Sequence, residues 1–108
     1  MKEVQEIYRI VEEINQSHKH HLDSLEEKDE LLLLIKLENG KHISVKVSRE
    51  GLDIQKGEVE KPRNVVEIAA KDLFRLINNR SYIVRYLTTG RIKIRGDIKR
   101  VLRILQNI

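Results

Sequence analysis

Cysteine and tryptophan are absent from this sequence of 108 residues, and proline and phenylalanine occur once each. Without cysteine there is no disulfide, no thiolate nucleophile and no thiolate metal site, and a reducing, cytoplasmic location is permitted. The longest apolar run, residues 31–35, falls far short of the roughly 20 residues that a bilayer-spanning helix needs. No apolar run follows a basic start, so a soluble chain without a signal peptide is expected. Catalytic signals are missing as well. Ser17, Ser24, Ser44, Ser48 and Ser81 sit at expected caps, turns or strand surfaces, and none has the setting of a nucleophile elbow. Gly90 and Gly96 flank a strand instead of opening a helix, so no phosphate loop is present. Neither an enzyme nor a bound cofactor is expected.

What the sequence has in abundance is charge, at 35% of residues, with aromatics at 4%. That bias resembles thermophile usage. The length suits one domain, which buries roughly two-thirds of its unfolded surface around a single core. The net charge of +4 is unevenly spread. Residues 1–60 carry 9 Lys and Arg against 14 Asp and Glu, whereas residues 61–108 carry 12 against 3. A basic half attracts nucleic acid or an anionic membrane surface, unless it faces the acidic half within the fold.

Hydrophobic periodicity orders the chain. Val4, Ile7, Tyr8, Val11 and Ile14 make one stripe of a helix over residues 1–14. Residues 15–30 are polar apart from Leu22 and Leu25. A strand over 29–39 places Leu31, Leu33, Ile35 and Leu37 on one face, with Leu32 and Leu34 on the other. Asn39-Gly40 suits a type I′ hairpin turn into a strand over 41–48, where Ile43, Val45 and Val47 alternate with polar residues. Arg49-Glu50-Gly51 suits a three-residue hairpin, and Leu52 and Ile54 start a third strand before a loop over 56–64. Residues 64–70 read as a fourth strand, followed by a helix carrying Leu73, Phe74, Leu76 and Ile77 and stopping at Asn78-Asn79. Ser81 is placed to cap a helix over 82–89, which Gly90 ends. A fifth strand spans 91–95, and Asp97 caps a final helix whose stripe is Ile98, Val101, Leu102 and Leu105. The order predicts an α+β two-layer sandwich, with a mixed, mostly antiparallel five-stranded sheet and helices gathered on one face. The helical crossover leaves strands four and five free not to be neighbours.

The run LTTGRIKIRGDI, residues 87–98, with the Leu102 and Leu105 helix after it, resembles the signature of the sterol-carrier-protein type-2 family. VVEIAAKDLFRLINN, residues 65–79, is similar to that family's strand-then-helix element, and the likeness covers the chain from Leu31 onward. The resemblance implies an apolar tunnel between sheet and helices that takes a fatty acid, acyl-CoA, phospholipid or sterol. Its implied lining is Leu33, Ile35 and Val45 on the sheet, Phe74, Ile77, Ile83 and Leu87 on the middle helices, and Leu102 and Leu105 on the last. An ordinary core needs such residues at the same spacing. Three departures stand out. The turn 78–80 reads Asn-Asn-Arg where a glycine is common, the C-terminus is no peroxisomal address, and the scarcity of rings favours flexible acyl chains over rigid sterols.

Arg91, Lys93 and Arg95 on strand five, with Lys99, Arg100 and Arg103 on the last helix, form a candidate patch for an anionic headgroup or membrane surface. Nucleic acid is disfavoured, because stacking platforms are not interleaved with these residues. Blunting of an edge strand by charge explains the same pattern. His18, His20 and His21 stand near Asp23 and Asp29, but they lie in a polar connector, so no metal site is assigned. A homodimer, or the N-terminal helix, is expected to cover Leu32 and Leu34.

Overall fold

The computed structural model describes residues 2–17, 19–57 and 59–108. The N-terminal stripe folds as α1 (Lys2–Ser17) and buries Ile7, Ile10, Val11 and Ile14. Ile10 takes the inward place expected of Tyr8, which is 46% exposed. A tyrosine tolerates that position because its hydroxyl stays in water. The helix runs past Ile14 because Asn15 has a partner. Its amide donates to the Leu52 carbonyl at 2.9 Å and its oxygen accepts from the Leu52 N–H at 2.8 Å. Two 3₁₀ turns, Lys19–Leu22 and Glu27–Asp29, lead into the sheet.

The strands are β1 (Leu31–Lys36), β2 (His42–Ser48), β3 (Gly51–Gln55), β4 (Asn64–Ala69) and β5 (Ile92–Arg95), in spatial order β3-β2-β1-β4-β5. β1 and β4 pair in parallel and every other pair is antiparallel. β4 and β5 are hydrogen-bonded neighbours, with α2 (Ala70–Asn78) and α3 (Tyr82–Thr88) connecting them. Two turns differ from the expected types. Among residues 38–40 only Gly40 has positive φ, at 87°, and Gly40 N–H donates to the Leu37 carbonyl, so the first hairpin has a three-residue loop. The second hairpin closes at Ser48 opposite Gly51, which leaves Arg49-Glu50 as its turn.

One sheet face carries Leu31, Leu33, Ile35, Val45, Val47, Leu52, Val66, Ile68 and Ile92, all buried beneath the helices. The other face carries Lys46, Asp53, Glu67, Lys93 and Arg95 around a small apolar centre of Leu32, Leu34 and Val65. α1 does not cover that centre, since it packs on the opposite face. Leu32 is 2% exposed because Val59 and Pro62 of the β3–β4 connection stand beside it.

α2 and α3 meet at a turn built on Asn79, and Ser81 does not act as the expected cap. The Asn79 carboxamide oxygen accepts from the Ser81 N–H at 3.1 Å and from the Ser81 hydroxyl at 2.6 Å, and Ser81 is already helical. α3 ends at Gly90, whose φ is 78°. Arg91 N–H donates to the Tyr86 carbonyl and Gly90 N–H to the Leu87 carbonyl, which closes the helix in a Schellman motif. α4 (Ile98–Asn107) starts from Asp97, whose carboxylate accepts from the Arg100 N–H at 3.2 Å.

The inward stripe of α4 is Val101, Ile104 and Leu105, whereas Ile98 is 46% exposed and Leu102 half-buried. Both 98-101-102-105 and 101-104-105-108 satisfy the helical period, so periodicity alone leaves the rotation undecided. Contacts made by the turn before the helix set it. Buried Asn64 donates to the Lys28 and Glu30 carbonyls at 3.1 and 3.3 Å and accepts from the Asp97 N–H at 3.1 Å. Gly96 lies against it with φ of 105°, and a Cβ there would come within 2.2 Å of the Asn64 side-chain oxygen. Glycine is therefore required at the turn, and one amide joins the starts of β1, β4 and α4.

Candidate functional site

The helix layer is divided. α1 lies toward β3, which Asn15 clamps at one end, while the Glu3 carboxylate accepts from the Glu38 N–H at 3.0 Å at the other. α2 and α4 lie on the opposite side of a seam. The walls of that seam are Ile7, Ile10, Val11 and Ile14 from α1, Leu73, Leu76 and Ile77 from α2, and Leu105 from α4, with Ile108 and Arg80 beside them. The sheet supplies its floor with Leu33, Ile35, Val45, Val47 and Leu52. The space has a volume of about 40 Å³. That is far below the roughly 300 Å³ or more of a usual small-molecule site. A guest chain therefore enters only if a wall moves.

Of the nominated lining residues, the structure brings Leu33, Ile35, Val45, Ile77 and Leu105 to this seam. Ile83 is buried in the core away from it, Phe74 and Leu102 are half-buried against that core, and Leu87 is half-buried on α3. The α1 stripe is plain in the sequence but lies outside the stretch that carries the family resemblance, which starts at Leu31. Arg80 carried no signal that separates it from a solvated arginine.

The six basic residues divide among four surroundings. Lys93 and Arg95 lie on the helix-free sheet face, opposite Glu67 and Val65 in register. Lys99 and Arg103 are exposed on α4. Arg100 turns to Asp29, its Nη1 2.5 Å from the buried carboxylate. Burial pushes the Asp29 carboxyl up, but the bonds from Arg100 and from the Glu26 N–H outweigh it and hold the pKa below the usual carboxylate value. Arg91 lines an open cleft with Arg75, Tyr82, Arg85, Tyr86 and Thr89. There the two tyrosine rings stack 5.8 Å apart, Arg85 lies 5.9 Å over Tyr82, and Arg91 lies 5.6 Å over Tyr86. The protein's own guanidinium groups thus engage both rings, which leaves little free stacking surface for a base.

His18 and the side chain of His20 lie outside the described residues. Among the described residues no group of three His, Cys, Asp or Glu side chains stands close enough to hold a metal, and no helix is long and apolar enough to cross a membrane.

The model of the SCP-2 sterol transfer family matches residues 11–106. Among solved structures, the crystal structure of sterol carrier protein 2 like 2 from Aedes aegypti is similar, with 20% identity, a TM-score of 0.64 and coverage of 94% of this chain and 99% of that one. A palmitated form of the same Aedes protein, solved by NMR, has 19% identity and a TM-score of 0.65 over 93% and 87% of the two chains. The sterol carrier protein domain 2 of Helicoverpa armigera has 19% identity and a TM-score of 0.67 over 96% and 86%. Among curated proteins none matches.

Proposed function

This chain belongs to the SCP-2 sterol transfer family, and from that premise we propose that it is a non-enzymatic lipid carrier that holds a flexible acyl chain in the seam between α1, the sheet, α2 and α4. The observation that carries the proposal is the composition of the seam. Among the described residues that line it, fourteen are aliphatic and one is charged. Such walls perform no chemistry and recognise shape and apolarity. Each methylene withdrawn from water contributes up to about 0.8 kcal/mol, so a long acyl chain offsets the cost of association and of parting the walls. A narrow slot between helices suits a chain that bends better than a rigid ring system, and the lining holds no ring to stack on one. α1 is the wall best suited to move, because it is tied to the sheet by side-chain bonds at its two ends. The absence of cysteine suits a cytoplasmic carrier.

Native mass spectrometry of gently purified protein tests the proposal. A co-purified lipid, or displacement of a fluorescent fatty acid by unlabelled lipid, is the expected result. Protein that carries no lipid and takes up no fluorescent fatty acid would sink it.

A further inference from the structure

The seam has a polar end. Ile77, Arg80 and Ile108 are its part-exposed lining residues, and the others are buried, so the seam meets water where the last turns of α2 and α4 come together. Arg80 stands at this mouth, two residues beyond the end of α2. Its Nη1 donates to the Leu105 carbonyl at 2.5 Å, which spends one of five guanidinium N–H groups on the exposed end of α4. Four remain. The ion pairs among the described residues do not include Arg80.

We propose that Arg80 is the head-group anchor of the seam, receiving the carboxylate of a fatty acid whose chain lies among the aliphatic walls. This rests on the lipid-carrier reading and names the class of guest. Burial pushes the Arg80 pKa down, but an arginine keeps its charge, so the mouth holds a cation with reduced hydration. A carboxylate restores what hydration it has lost. Its two oxygens match the planar fork, and its single negative charge balances a single positive one. A neutral hydroxyl or ester head offers no such balance. The other guanidinium groups nearby in sequence, Arg75 and Arg85, line the separate cleft beside α3 and are not shared with this mouth.

Palmitic acid, methyl palmitate and hexadecanol share one chain length and differ in the head, so competition among them isolates the anchor. At neutral pH the wild-type chain is expected to prefer the acid by roughly tenfold, the scale of a charge-assisted pair at a part-exposed site. Arg80→Gln is expected to remove that preference while still binding the ester, and Arg80→Lys to keep part of it. Retained ester binding also shows that the variant folds. If Arg80→Gln binds nothing, the Arg80 Nε–H resonance of the wild-type protein decides instead, and it is expected to move with the acid and not with the ester. Equal wild-type affinity for acid and ester, or an Arg80→Gln variant that keeps the preference, overturns the anchor and leaves the carrier reading standing. Failure of all three compounds to bind overturns both.

Discussion

Asp29 shows how much one side chain can tie together. It is 6% exposed, accepts from the Glu26 N–H at 3.0 Å within the 3₁₀ turn, and reaches Arg100 across 71 positions of sequence. Because its pKa is held below the unfolded value, its stabilising contribution is complete above about pH 4 and is lost as pH falls through the lowered native value. Asp29→Asn is expected to cost about 1–2 kcal/mol near neutrality, since Arg100 is partly solvated. That deficit should shrink toward zero below the native pKa. Urea denaturation of both proteins at about pH 7 and about pH 3 checks this. An equal deficit at both values would mean that Asp29 acts through packing and not through charge.

Among the elements, α1 holds the most consequence. Its polar fastenings are two hydrogen bonds between Asn15 and Leu52 of β3, one given and one accepted, and one that Glu3 accepts from the Glu38 N–H in the β1–β2 turn. Asn15→Ala is expected to destabilise the chain by about 1–2 kcal/mol. It should also speed amide exchange throughout α1 and hasten release of a bound lipid. Unchanged exchange in α1 would show that apolar contacts alone hold the helix. The existence and type of every α-helix and strand were legible in the sequence, because Leu31 to Ile35 is a short apolar run ahead of a turn signal, His42 to Ser48 alternates cleanly, and α1 and α2 keep a helical period. Rotations and turn types were not. Ile98 and Ile104 compete for the same inward place, and what decides between them lies in Asn64 and Asp29, far away in sequence. Ser81 is a good cap by type, yet Asn79 stands two residues earlier and takes its N–H and its hydroxyl. The candidate site was half legible. The resemblance implied Leu33, Ile35 and Val45 of its floor but not Val47 or Leu52, whereas the α1 wall required knowing that the helix returns over β3 and not over β5.

At the scale of the whole molecule, the proposed binding site and the core share one volume. About 40 Å³ beneath α1 is too little for a guest and more than a close-packed interior usually leaves. Val11→Ile adds one methyl group at that wall, so it is expected to stabilise the empty protein by up to about 1 kcal/mol and to weaken lipid uptake. Thermal unfolding and fluorescent fatty-acid binding measure the two effects. A variant that is less stable than wild type would place the gap away from Val11.

The clamp on Leu52 has one further consequence. β3 is an edge of the sheet, and an uncovered edge is a template on which another chain can add a strand. Asn15 presents an N–H and a C=O to β3 much as a neighbouring strand would, so the helix that walls the seam also guards the edge. Any movement of α1 wide enough to break that clamp, such as the parting that admits a guest, would leave the β3 edge open to self-association. Uptake and release would then be the moments at which that edge is bare, and heating protein while lipid exchanges should drive more of it into aggregates than heating the same protein with its clamp undisturbed.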